Sequence, residues 1–158
     1  MRDKRFVAEH RGGPLTKEHH QKLMRWARTC AEHVLSLFSQ NTDERIVHAL
    51  YIAEEWENNN VPTGEAMKAS VKAHAAAREA TNPIDTAIAR SVGHAVATAH
   101  MADHSLGAAL YGLKAVKLAG ESIDEERKWQ ISQLQTLPPE IVDLVLTNFD
   151  VKSKSFKL

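Results

Sequence analysis

Nine histidines stand among 158 residues. His94, His100, Asp103 and His104 bring together the side-chain types that hold a cation or move a proton. On one continuous helix His100, Asp103 and His104 would occupy positions i, i+3 and i+4 and share a face, an arrangement by which two imidazoles and a carboxylate bind zinc or a similar ion. His94 lies more than a turn before His100 and is rotated off that face, so a complete metal site needs a ligand from elsewhere, such as His74. The chain has neither an HExxH motif nor the repeated Glu-x-x-His pairs of a di-iron bundle. Two other uses of these residues need no metal. In one, Asp103 caps a helix or turn and the histidines hydrogen-bond across closely packed helices. In the other, His94, His100, Asp103 and His104 join Arg90 and Arg78 in a polar patch that recognises a partner. No metal or cofactor is expected, and a metal-dependent helical-bundle enzyme built on His100, Asp103 and His104 is the alternative. His74 falls on the stripe Met67, Val71, His74, Ala75 and Arg78, where a satisfied buried histidine is expected rather than a ligand or base.

Other chemistries find little support. There is no Gly-x-Ser-x-Gly elbow, and Cys30, the single cysteine, sits within an apolar stripe as a small buried hydrophobe. Neither a Walker pattern nor GxGxxG occurs, and Gly12-Gly13 lacks a strand-loop-helix setting. Glu54 and Glu55 are adjacent on a helix, so their side chains diverge by about 100° and cannot flank one bond. Trp26, Trp56 and Trp129 fall one per helix at core-like positions rather than forming a stacking platform for bases.

The elements that must position these groups are helical. No β alternation is sustained, and three-to-four spacing recurs between glycine and proline breaks, which predicts an all-α, single-domain antiparallel bundle of six or seven helices. Residues 1–15 read as an irregular arm, 16–150 as the helical domain and 151–158 as a basic, frayed tail. Thr16 caps a helix to about Phe38 that carries Leu23, Trp26, Ala27, Cys30, Val34, Leu37 and Phe38 on one stripe. Asn41, Thr42 and Asp43 offer a cap for a second helix, and Thr63 opens a third to about Ala80. Asn82-Pro83 starts a fourth that could reach Met101 or beyond. Asp103 to Ser105 cap a fifth to Gly120, Ser122 to Glu125 form a capping box for a sixth, and Pro138-Pro139 introduces a short last helix through Phe149. Between Ala66 and Ala119 there are 17 alanines in 54 residues, with Gly93, Gly107 and Gly112 inside helical segments. A mid-helix glycine costs roughly 1 kcal/mol relative to alanine, so Gly93 marks a tight helix crossing. Such packing suits a homo-oligomer as well as a monomer.

The chain balances 20 Lys and Arg against 20 Asp and Glu, which argues against a general nucleic-acid binder. Residues 1–30 carry 8 basic and 3 acidic side chains, and residues 31–65 carry 1 and 7. The two blocks are expected to complement each other as neighbouring helix faces; an acidic docking patch around Glu54, Glu55 and Glu57 is the sharper reading. Nucleic-acid binding through Arg2, Lys4, Arg5 and Arg11 would require an exposed arm. No apolar run reaches the roughly 18 residues of a membrane span and the start lacks an apolar signal core, so a cytoplasmic location is expected.

The segments MRDKRFVAEHRGGPL, WARTCAEHVL and above all AIARSVGHAVATAHMADHSLGAALYGLKAV together resemble the immunity proteins of bacterial polymorphic toxin systems, in the immunity-protein-five-like family. The resemblance spans about residues 1–150 and is most specific over 87–116. It implies an all-α cytoplasmic protein that binds and neutralises a cognate toxin without catalysis of its own. The positions that match are Arg90, Gly93, His94, His100, Asp103, His104 and Leu106; the charge pattern, and not the resemblance, adds Glu54 and Glu55 of the acidic second helix to the rim that a toxin would meet.

Overall fold

The computed structural model describes residues 2–39 and 41–158. Their helices are α1 (Lys17–His33), α2 (Glu44–Glu57), α3 (Thr63–Glu79), α4 (Pro83–Ala97), α5 (His104–Leu118), α6 (Ile123–Leu134) and α7 (Pro139–Ser155), and no β-strand forms among the described residues. The architecture is all-α, as the periodicity requires. Four starts are made by the expected side chains. Thr16 Oγ1 accepts from the His19 amide, Asp43 Oδ1 from Arg45, Asn82 Oδ1 from Ile84 and Ser122 Oγ from Glu125, each satisfying an amide that has no partner inside its helix.

Short connections fold successive helices back on one another. Ser70 Oγ donates to the Gly93 carbonyl (3.0 Å) and Ser91 Oγ to the Ala108 carbonyl (2.7 Å), so α3, α4 and α5 run antiparallel in sequence. Helix α4 is central and touches α1, α2, α3 and α5. The core on its α3 side is mostly alanine, closed by Met24, Ile46, Leu50 and Trp56. The core on the far side of α5 is built from Leu23, Trp26, Leu106, Leu110, Leu113, Leu134 and Phe149. Small residues let α3 and α4 approach, and large ones fill the wider gaps toward α6 and α7.

Several expectations change. Helix α1 stops at His33 instead of Phe38, because Val34 leaves helical geometry (φ −98°, ψ 1°) and a 3₁₀ turn, Leu35–Leu37, tucks Leu35, Leu37 and Phe38 against Ile88 and Val116. Helix α4 ends at Ala97, short of Met101, where the Thr98 hydroxyl donates to the His94 carbonyl and residues 98–103 turn the chain back. The inward stripe of α3 is Ala66, Ala69, Ser70, Ala73, Ala76 and Ala77, while Met67 and Val71 face outward, 46% and 67% exposed. The gap to α4 has no room for the larger pair. Helix α7 continues to Ser155 in place of a short helix and frayed tail; Ser153 is buried, Phe156 lies edge-on to Tyr111, and Lys117 Nζ donates to the Lys157 carbonyl. Trp26 and Trp56 are core residues, but Trp129 is half-buried and stacked on His33 at 3.5 Å.

The N-terminal arm packs on the bundle. Phe6 and Leu15 are buried in the leucine-rich core, and Ala8 pairs with Leu15 in an isolated bridge. Gly12 makes the return at φ +85°, and a Cβ on Gly13 would stand 2.1 Å from the Val7 carbonyl oxygen, so both glycines are required. Asp3, bonded to Arg5 and to Asn148 of α7, ties the arm down; Arg2 faces Asp103 at 3.4 Å and Arg5 reaches Asp143. Two of the four cations that a nucleic-acid reading needs are thereby engaged.

Candidate functional site

Because the chain turns at residues 98–103, His100, Asp103 and His104 do not share a helix face. His100 lies in the turn, Asp103 precedes α5 and His104 is its first residue. The turn returns His104 across α4 to His94, with their Nδ1 atoms 3.0 Å apart. His94, which helical spacing alone sets aside, is therefore the centre of the cluster. Ring centroids are 5.2 Å apart for His74–His94, 5.0 Å for His94–His104 and 5.4 Å for His100–His104. Four imidazoles thus form one line from α3 across α4 to the head of α5. Tyr111 stacks on His94 at 5.2 Å and 17°.

Glycines seat this line. A Cβ on Gly93 would stand 2.7 Å from the His74 ring, and one on Gly107 would stand 2.7 Å from His94 Nδ1. These helical glycines make room for imidazoles, a more specific use than the close crossing their spacing suggests. Gly112 differs, since a Cβ there would make ordinary contact at 3.5 Å.

Hydrogen bonding fixes protonation. Arg90 Nη1 donates to His74 Nδ1 over 2.7 Å. A guanidinium cannot accept, so His74 is neutral with its proton on Nε2. In the His94–His104 contact one Nδ1 must donate and the other accept, so the two rings take opposite tautomers. Burial is the leading cause that lowers all four basicities. It pushes His74 to about 4, aided by Arg90, and His94 to about 3, aided by His104. His100 and His104 are also lowered by burial, with Asp103 opposing.

Asp103 does not cap α5 through its side chain. Its Oδ2 faces Arg2 while Oδ1 is buried without a hydrogen-bond partner, as is His100 Nδ1. Among the described residues, no three His, Cys, Asp or Glu side chains converge on a point where a cation could sit. The imidazoles are spent on one another, on Arg90 and on glycine-lined packing, and the metal triad of the helix-face reading does not form. Arg78 is exposed, one turn after His74, and its charge helps to lower the basicity of that ring.

The acidic patch is thinner than the sequence suggests. Glu57 is buried at 8% exposure between Arg25 Nε (2.5 Å) and Arg28 Nη2 (3.1 Å) of α1, so the charge blocks do complement each other there. Glu54 remains exposed and Glu55 half-buried on α2, beside Tyr51 at 57% exposure. Cys30 is fully buried, and burial raises its thiol well above the usual range.

A family model described as "Imm-5 like putative immunity protein" matches residues 13–137, which takes in α1 to α6 and the whole histidine line. The chain belongs to this immunity-protein family. Comparison with curated proteins and with solved structures gave no match. In this immunity-family protein no helix among the described residues is long and apolar enough to cross a membrane. The residue that sequence reasoning misses is Tyr111, whose spacing is that of any helical position. Gly107 is the signal that could have led to the cluster, because a glycine within a helical segment that is otherwise rich in alanine points to a bulky neighbour.

Proposed function

We propose that the protein is a non-catalytic immunity factor of the bacterial cytoplasm that binds a cognate toxin of a polymorphic toxin system and blocks it. Family membership over residues 13–137 carries the reading. The histidine cluster supports it in two ways. Its imidazoles are neutral and engaged with one another, which suits a rigid recognition surface better than proton transfer. The half-buried His94, His100, Asp103 and His104, with Arg90, would give the docking rim polar groups of fixed orientation. Glu54 and Glu55, flanked by Tyr51, would supply the acidic part of the rim and speed encounter with a basic toxin.

The test is co-expression with the toxin domain encoded beside the gene, followed by binding kinetics of the purified pair. Growth is expected to be restored by this protein, with an association rate that falls as salt rises. A toxin that stays fully active beside excess protein would overturn the assignment.

A further inference from the structure

Toward the Pro83 end of α4, a cavity of about 390 Å³ opens between α4 and α5. Asn82, Thr86 and Arg90 line one wall, and Tyr111, Lys114 and Leu118 the other; no acidic side chain faces it. Arg90 is half-buried, and among the described residues its side chain hydrogen-bonds only to neutral His74. It is therefore held in place without being neutralised. Among the described residues neither Arg90 nor Lys114 forms an ion pair, and the Lys114 ammonium lies 5.9 Å from the Tyr111 ring. Arg90 and Lys114 thus give one concavity two cationic side chains and no carboxylate, a charge pattern that an entering anion complements.

We infer that this cavity receives an aspartate or glutamate side chain of the toxin, with Arg90 as its anchor, an inference that rests on the immunity reading above. The planar guanidinium fork, with one nitrogen committed to His74, keeps donors that match the two oxygens of a carboxylate. Tyr111 and Leu118, the latter 45% exposed, give the mouth an apolar border for residues flanking the acid. Lys114 adds charge that draws the acid in. His74 is a positioning residue: its ring, seated on Gly93, keeps the guanidinium turned toward the cavity.

Two measurements test this. The first titrates the full chain with acetyl-glutamate amide, acetyl-glutamine amide and inorganic phosphate while amide and side-chain NMR shifts are followed. Saturable shifts at Arg90, Tyr111 and Lys114 with the glutamate probe alone are expected, lost in Arg90→Gln and at least tenfold weaker in Arg90→Lys. Phosphate binding in preference to glutamate, or equal response to the glutamine probe, overturns the carboxylate assignment. The second measures toxin affinity, which is expected to fall about 30-fold in Arg90→Gln, a hot-spot effect, with the fold checked by circular dichroism. Unchanged affinity in a folded Arg90→Gln overturns this inference and leaves the immunity reading standing. Failure of the unmodified protein to bind the toxin, with the glutamate titration intact, overturns the immunity reading and with it the toxin as occupant.

Discussion

Replacing Gly107 by alanine should destabilise the protein even though alanine is the better helix former. Propensity alone favours the change, by up to about 1 kcal/mol at this position in the first turn of α5. The new Cβ, however, would lie 2.7 Å from His94 Nδ1 and 2.8 Å from its Cγ, well inside van der Waals contact. The ring is pinned by its bond to His104 and by its stacking on Tyr111, so it cannot retreat without breaking one or both. Overpacking of this kind costs about 1–3 kcal/mol, and a lost hydrogen bond about 1 kcal/mol more. The net expectation is a loss of about 1–3 kcal/mol, read by urea denaturation, with a fall in Tm of about 2–4 °C per kcal/mol. Gly64→Ala is the control. A Cβ there meets nothing within 4 Å, so the same substitution in the first turn of α3 should be neutral or stabilise by about 0.5 kcal/mol, through the smaller entropy of the unfolded chain. A double-mutant cycle completes the argument, since in a His94→Ala background the penalty at Gly107 should vanish. Equal stabilisation by the two alanines, or a penalty that survives without the His94 ring, would refute the reasoning.

Acid should unfold the protein through its histidines. His74 and His94 are lowered to about 4 and about 3, and His20, His100 and His104 are lowered too, so below the ordinary histidine range the unfolded chain binds more protons than the folded one. Their contribution is intact above pH 6.5 and is lost as pH falls toward 3–4, with the better-buried His94 contributing more than the partly exposed His74 and His100, whose charges solvent screens; denaturation midpoints from pH 7.5 to 4 read it, and His94→Ala should flatten the profile. Gly13→Ala should cost about 1–3 kcal/mol and raise protease sensitivity near residue 13, because its Cβ meets the Val7 backbone rather than a movable side chain; limited proteolysis that finds the arm as protected as in the unsubstituted chain would count against the arm's packing. Cys30 should react with a thiol reagent only at the rate of unfolding, since it is fully buried with its thiol pushed up by burial.

The helical class and most helix starts could be read from local chemistry. Thr16, Asp43, Asn82 and Ser122 each satisfy a backbone amide within three residues, so the residues themselves carry the instruction. Helix ends were less legible. Residues 98–101 look as helical as those before them, and what stops α4 is the need to bring α5 back across it. The α3 stripe failed for a related reason: hydrophobicity favoured Met67 and Val71, whereas the space beside α4 admits only alanine and serine.

The site divides along the same line. Its residue types, the all-α frame around them and the family were present in the one-dimensional pattern, because propensity, capping and motif identity depend on neighbours along the chain. Which histidines meet depended on the turn at residues 98–103, and so on packing between segments far apart in sequence. That turn left the His104 ring beside His100 without a common helix face and brought it onto His94, while α3 delivered His74 to Arg90. Burial then set their protonation, and only the assembled bundle has an interior in which a neutral imidazole is the cheaper form.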